Sequence, residues 1–231
     1  MYIYRSRTPK LLAVLVFILV SACTAPTKTD VKSGTLHEKL QGSNESIVLF
    51  PTYQKHSEAH EKDFIRCLKQ ELEIEVSRRF KIVDTAAFQD ALFPWFEAQY
   101  APSNIQELNS LISRPLVRER ISSLGIRYLV NIARSTTSGG FPGMFCGGGF
   151  GAAGCLGLSW EDEYHEVDAV IFDLVEGDKA GDVSVRTSGR SLGFAFVIPV
   201  VFIAHTKRDA CKALATELSK LFTLDPNVVS H

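Results

Sequence analysis

The sequence predicts a mixed α/β fold of the α+β kind, a single domain over residues 47–224 with about five to six strands in one mixed sheet packed by three to four helices. Three observations predict it. Short apolar runs alternate with helix-period segments in the first half, strand-like runs follow one another in the second, and an amphipathic segment closes the chain. Ile47 to Phe222 is about 175 residues, enough for one proper core.

Ser46-Ile-Val-Leu-Phe-Pro51 is an apolar run stopped by proline, the pattern of a buried strand. Ile65, Leu68, Leu72 and Val76 recur at three and four residues among acids, so an amphipathic helix is expected from about His60 to Arg79, with Cys67 on the flank of its apolar face. Phe80 to Val83 is the next strand. Asp84 or Thr85 caps a helix carrying Phe88, Ala91 and Leu92, which Pro94 ends or kinks. Ser103 with Gln106 reads as a capping box for a helix through Leu108 and Ile112. Pro115 interrupts it, and a second short helix reaches Leu124, with Gly125 as its C-terminal cap. Strands are then expected at Ile126 to Ala133, Tyr164 to Val175, Asp182 to Ser188 after a Gly177-Asp178 turn, and Leu192 to Ala204, where Pro199 marks an edge or a bulge. Thr206 with Asp209 matches a capping box for a last helix whose one face is Cys211, Leu214, Ala215, Leu218 and Phe222.

The amino terminus has a different character. Arg5, Arg7 and Lys10 precede the apolar run Leu11 to Val20, and Val20-Ser21-Ala22-Cys23 closes it, the layout of an export signal over residues 1–22. Ten helical residues reach only about 15 Å, half a bilayer core, so the run is no membrane span. Val20 to Cys23 resembles the lipobox of bacterial lipoproteins. That resemblance implies acylation of Cys23, and Thr24 after it implies transfer to the outer membrane. Residues 23–46 are rich in Thr, Ser, Lys and Gly and are expected to form a flexible tether, about 25 Å end to end as a coil. Residues 225–231 form a tail.

Cutting after residue 22 removes three basic residues and no acid from a chain of formal net charge −1, leaving about −4. Basic and acidic residues are interspersed, which argues against nucleic acid as a partner. With Cys23 acylated, Cys67, Cys146, Cys155 and Cys211 form an even set for an oxidising compartment. Of three possible pairings the expected one joins Cys146 to Cys155 across a glycine-rich loop and Cys67 to Cys211 between two helices. Their spacing does not suit a zinc knuckle.

Ile47-Val-Leu-Phe-Pro51, Phe80-Lys-Ile-Val-Asp84, Leu124-Gly-Ile-Arg-Tyr-Leu-Val130 and Ile171-Phe-Asp-Leu174 ahead of Gly177 follow one another in an order that resembles the periplasmic α/β module of the TolB amino-terminal domain and of curli-secretion-type lipoproteins. The resemblance spans most of Ile47 to Phe222. It implies an outer-membrane-associated binding or assembly module with no enzymatic site, and a structural role for Asp173 in the hairpin that follows it.

Candidate chemistry is sparse. Gly149-Phe-Gly-Ala-Ala-Gly154 has dinucleotide spacing, but no amphipathic helix or βαβ unit follows. Glu161-Asp-Glu163 with Glu166 and Asp168 lacks the glycine-centred spacing of a calcium loop. Gly157-Leu-Ser159 lacks the second glycine of a nucleophile elbow. His56 and His60 precede no H-E-x-x-H motif. Trp95 and Trp160 are read as packing residues. No catalytic residue, metal or cofactor is expected. Ser138 to Leu158 is the exception: an uncharged, glycine-rich loop carrying Phe141, Met144, Phe145, Phe150 and Leu156, either folded over its own domain or exposed as a contact surface.

The expected protein is therefore an outer-membrane lipoprotein on the periplasmic face, non-catalytic, held to the membrane by its lipid and acting on an envelope protein partner or on itself. An oligomeric secretion or pore component is the alternative, made weaker by the absence of an alternating strand pattern in the loop. A periplasmic hydrolase is a weaker one still.

Overall fold

The computed structural model describes residues 24–33, 45–52, 58–97, 100, 102, 105–149 and 152–223. The signal peptide, Cys23, Ser103, His56, Phe150 and the tail at 225–231 lie outside them. Among the described residues the order is β1 (Thr24–Ala25), β2 (Thr27–Ser33), β3 (Glu45–Pro51), α1 (Glu58–Val76), β4 (Phe80–Val83), α2 (Thr85–Ala91), α3 (Ile105–Ile112), α4 (Pro115–Ser123), β5 (Ile126–Gly149), β6 (Ala152–Asp173), β7 (Asp178–Ala204) and α5 (Thr206–Thr223). The fold is mixed α/β as expected, with more strands and more helices than the sequence suggested. Two compact units stand out within it: a larger one of residues 29–136, 165–187 and 207–231, and a smaller one of 1–28, 137–164 and 188–206.

In the larger unit the strands run β7-β6-β5-β3-β4, with β3 parallel to both β4 and β5. A strand turns successive side chains to opposite faces. Ile47 and Leu49 accordingly enter a core with Leu68 and Leu72 of α1 and Leu214 and Leu218 of α5. Val48 and Phe50 enter a second core with Phe88, Phe96, Leu108 and Ile121 from the α2 to α4 region. Both faces of β3 are buried, which is why its sequence is a continuous apolar run rather than an alternating one.

Local chemistry sets the helix ends. The Asp84 carboxylate accepts from the Ala86 amide at 3.0 Å and caps α2. Pro115 opens α4, and Arg114 before it is extended, as a residue preceding proline must be. Gly125, at φ 65°, turns the chain out of α4 into β5. Helix α1 stops at Val76, three residues short of the expected end, because a turn closed by Arg79 N–H to Val76 O leads directly into β4. On its buried side Phe64 joins Leu68, Leu72 and Val76, while Ile65 is half-buried.

Three expectations are corrected. The tether expected over 23–46 holds strands β1 and β2; β2 pairs with β7, and the Thr29 and Thr187 hydroxyls lie 3.4 Å apart. An edge strand needs backbone partners rather than an apolar face, so composition alone did not show it. The loop expected over Ser138 to Leu158 is strand: β5 continues to Gly149 and β6 begins at Ala152. The two strands expected at 182–188 and 192–204 are one continuous run, β7. A Cβ on Gly189 would lie 2.7 Å from Cβ of Ala204. Fifteen extended residues would span about 50 Å, so β7 reverses between these positions and forms two limbs.

Cys67 of α1 is disulfide-bonded to Cys211 of α5, and Cys146 to Cys155. The first closes 144 residues, the second 9. By loop entropy the long closure contributes up to about 5 kcal/mol and the short one up to about 3. Replacing Cys67 and Cys211 together by alanine should lower the denaturant midpoint substantially more than replacing Cys146 and Cys155 together, as read by urea unfolding of the four-cysteine protein and the two double variants.

Candidate functional site

Among the described residues of the larger unit, Arg127 centres a partly buried ionic network. Arg127 of β5 donates from Nε to Asp173 Oδ2 at 2.9 Å and through its terminal guanidinium to Glu45 Oε1 at 2.7 Å. Burial by itself would lower the Arg127 pKa, but the hydrogen bonds to Glu45 and Asp173 outweigh it and hold the pKa above its ordinary value. The other Asp173 oxygen accepts from the amides of Val175 and Glu176, and the Gly177 amide donates to the Asp173 carbonyl. Gly177, at φ 84°, completes that turn. Asp173 thus organises the β6–β7 connection, a structural task with no chemistry attached.

His165 is buried with Nδ1 2.9 Å from the Thr136 hydroxyl. Glu166 pairs with Arg186. Among the described residues no cluster of three or more His, Cys, Asp or Glu is placed to hold a metal ion. The glycine spacing at 149–154 joins two strands, so it opens no phosphate-binding helix. A cleft of about 420 Å³ in this unit is lined by Trp95, Tyr100, Glu107 and Arg114 among others.

The smaller unit carries the distinctive surface. Its β5 and β6 segments are joined through only residues 150 and 151, so they pair antiparallel. The rings of Phe141 and Trp160 lie 5.0 Å apart, and the Cα atoms of Cys146 and Cys155 4.0 Å apart. Both pairs belong to one register, which also sets Gly143 opposite Leu158 and Phe145 opposite Leu156. A Cβ on Gly143 would collide with the Phe141 ring and the Leu158 carbonyl, so glycine is what lets that ring lie flat along the strand. On the next strand Arg190 donates to both oxygens of Asp162, at 2.6 and 3.0 Å. That pairing sets Leu192 opposite Trp160 and Phe194 opposite Leu158.

One face of this three-strand sheet therefore displays Phe141, Phe145, Leu156, Leu158, Trp160, Leu192 and Phe194. All are exposed, Phe145 by 77% and Phe141 by 51%. On β6 and β7 the positions between or beside them are small or hydroxylated: Cys155, Gly157, Ser159, Ser191, Gly193 and Ala195. On the second limb of β7 Val201 and Ile203 are exposed, Phe202 is half-buried with its ring stacked on Phe194 at 5.9 Å, and Ala204 is buried. No residue from 135 to 160 or from 191 to 204 is charged. Charge returns at the margin as the Asp162–Arg190 pair, whose guanidinium holds the Asp162 carboxyl below its usual range. Exposed Tyr164 lies just beyond.

Of the contact residues expected from sequence, Phe141 and Phe145 lie on this face. Met144 is in β5 but its side chain is not among those described, and Phe150 and Cys23 lie outside the described residues. Leu156 and Leu158 fell within the expected contact loop, whereas Trp160, Leu192 and Phe194 were not anticipated. Their signal was present as a period-two alternation of bulky residues with glycine, serine or alanine, hidden because the glycines read as loop. The expected absence of alternation is corrected for the β6 side of the loop, Cys155 to Leu158, whereas on β5 Pro142-Gly143-Met144 separates Phe141 from Phe145. Thr206, at the start of α5, donates its hydroxyl to Glu163.

No family model matches the chain, and no curated protein is similar to it in sequence. Solved structures with a related arrangement include a PelC dodecamer from Paraburkholderia phytofirmans, at 11% identity and TM-score 0.41 over 87% of this chain and 100% of that one. A variant of the same dodecamer follows, at 11% identity and TM-score 0.40 over 86% and 100%. A neuraminyllactose-binding hemagglutinin homolog from Helicobacter pylori has 8% identity and TM-score 0.35 over 80% and 92%. At such values the likeness is one of general outline and assigns no role to any residue.

Proposed function

We propose that this chain is an exported, non-catalytic envelope lipoprotein, anchored through Cys23, whose β5–β6 hairpin and two β7 limbs enter the outer membrane as part of a β-barrel made by several copies. The alternation of exposed bulky apolar residues with small ones, over strands free of charge, carries this reading. A membrane strand must present apolar groups to lipid and small or polar groups to the lumen, at period two. Residues 141–149 and 152–160 each reach about 30 Å, the length that crosses a bilayer core as a tilted strand. Trp160 and Tyr164, with the Asp162–Arg190 pair beside them, have the chemistry of an interfacial belt. Two disulfides and the signal layout support an oxidising compartment outside the inner membrane.

One chain supplies four strand segments, half of the eight that the smallest membrane barrels contain. Unpaired strand edges are not tolerated in hydrocarbon, so neighbouring copies would have to close the sheet. Light scattering on the detergent-solubilised protein, corrected for detergent, should give one defined oligomer. A monomer would sink the barrel and leave the exposed face as a contact surface for an envelope protein, with the lipid holding the domain near its partner. The mass spectrum of the mature amino terminus should show acylated Cys23, and an unmodified terminus would remove the anchor.

Phe145→Arg should cost roughly 2–4 kcal/mol of insertion if position 145 sits near the bilayer midplane. The variant should therefore be depleted from urea-washed outer membranes while the thermal transition of its water-soluble domain is unchanged. Wild-type membrane levels would count against insertion.

A further inference from the structure

The charge distribution of the smaller unit singles out Glu161. A cleft of about 460 Å³ is lined by residues of all three strands, small ones such as Ser159 and Ser191 together with Phe141, Trp160 and Leu192, and Glu161 is its one charged lining residue. Its neighbours in sequence are spoken for: Asp162 is held by Arg190, and Glu163 accepts from Thr206. Glu161 is exposed and makes no ion pair among the described residues. By strand alternation it shares its face with Ser159 and Gly157 and opposes the face of Trp160 and Leu158. A carboxylate in that position faces water on the side where the side chains are smallest, one residue past the uncharged stretch.

We infer that Glu161 makes the assembled channel cation-selective, each copy adding one carboxylate to a ring at the lumen entrance. This inference rests on the barrel reading and deepens it by naming what the lumen prefers. The stretches 135–160 and 191–204 carry no charge, so they bring no opposing charge to cancel the ring, and rings of acidic side chains are a general route to cation preference. A potential of about one kT at such a ring favours monovalent cations over anions by roughly sevenfold. The preference belongs to a screened charge in a wide opening. It should fade at 1 M salt, where the Debye length is about 3 Å, and grow at 0.01 M, where it is about 30 Å.

The test is the reversal potential of the mature, lipidated protein in a phosphatidylcholine bilayer under a KCl gradient, at high and at low salt. Wild type should favour K⁺, more strongly at low salt. Glu161→Gln should open with similar unit conductance at high salt and a permeability ratio near one, and Glu161→Lys should tip it towards Cl⁻. Light scattering on each variant confirms that the assembly is kept. Channels whose selectivity is the same in wild type and both variants would overturn the role of Glu161 and leave the barrel standing. A wild-type protein that never conducts would overturn both.

Discussion

A β-strand has two faces, and the first half of this structure depends on burying both faces of β3. Ile47 and Leu49 require the α1 and α5 side, Val48 and Phe50 require the α2 to α4 side, and neither helical group is optional once β3 lies inside the sheet. The Cys67–Cys211 bridge then ties α1 to α5 across that first face. Arg127 works on the same principle in the polar register. Three partly buried charges at the starts of β3 and β5 and the end of β6 are tolerable only because each carboxylate is matched to the guanidinium and, at Asp173, to two backbone amides.

The same period of two produces a different outcome in the smaller unit. There β5, β6 and β7 keep their alternation, but the large side chains are exposed and the small ones lie between them. An exposed apolar face of this extent is costly in water. Hairpin geometry is kept by the Cys146–Cys155 cross-strand bridge, by the tilted ring contact of Phe141 with Trp160, and by the Asp162–Arg190 pair, interactions within the unit that need no core. A sheet built in this way has a defined shape while its apolar face remains available to another apolar phase.

Much of the larger unit was legible because its signals are local. The proline and glycine punctuation, the Asp84 cap and the helical periods of α1 and α5 act within a few residues of each element. The candidate surface was less legible for a specific reason. Glycine in a strand weakens the strand signal even where it makes room for a neighbouring ring, as Gly143 does beneath Phe141, and so 138–158 read as loop. The polar segment at 27–33 misled in the opposite sense, since polarity suits a sheet edge as well as it suits a coil.

By itself the sequence determined the mixed α/β class, the helices of the larger unit and the positions of the four structural cysteines, because periodicity, capping and turn chemistry are written in neighbouring residues. Only the tertiary structure decided that β5, β6 and β7 run on past their expected ends, that Leu156, Leu158, Trp160, Leu192 and Phe194 share a face with Phe141 and Phe145, and that Glu161 stands on the other. The reason is register. Which residue lies opposite which is set by cross-strand pairs such as Cys146 with Cys155 and Asp162 with Arg190, and those pairs exist only once distant parts of the chain have met.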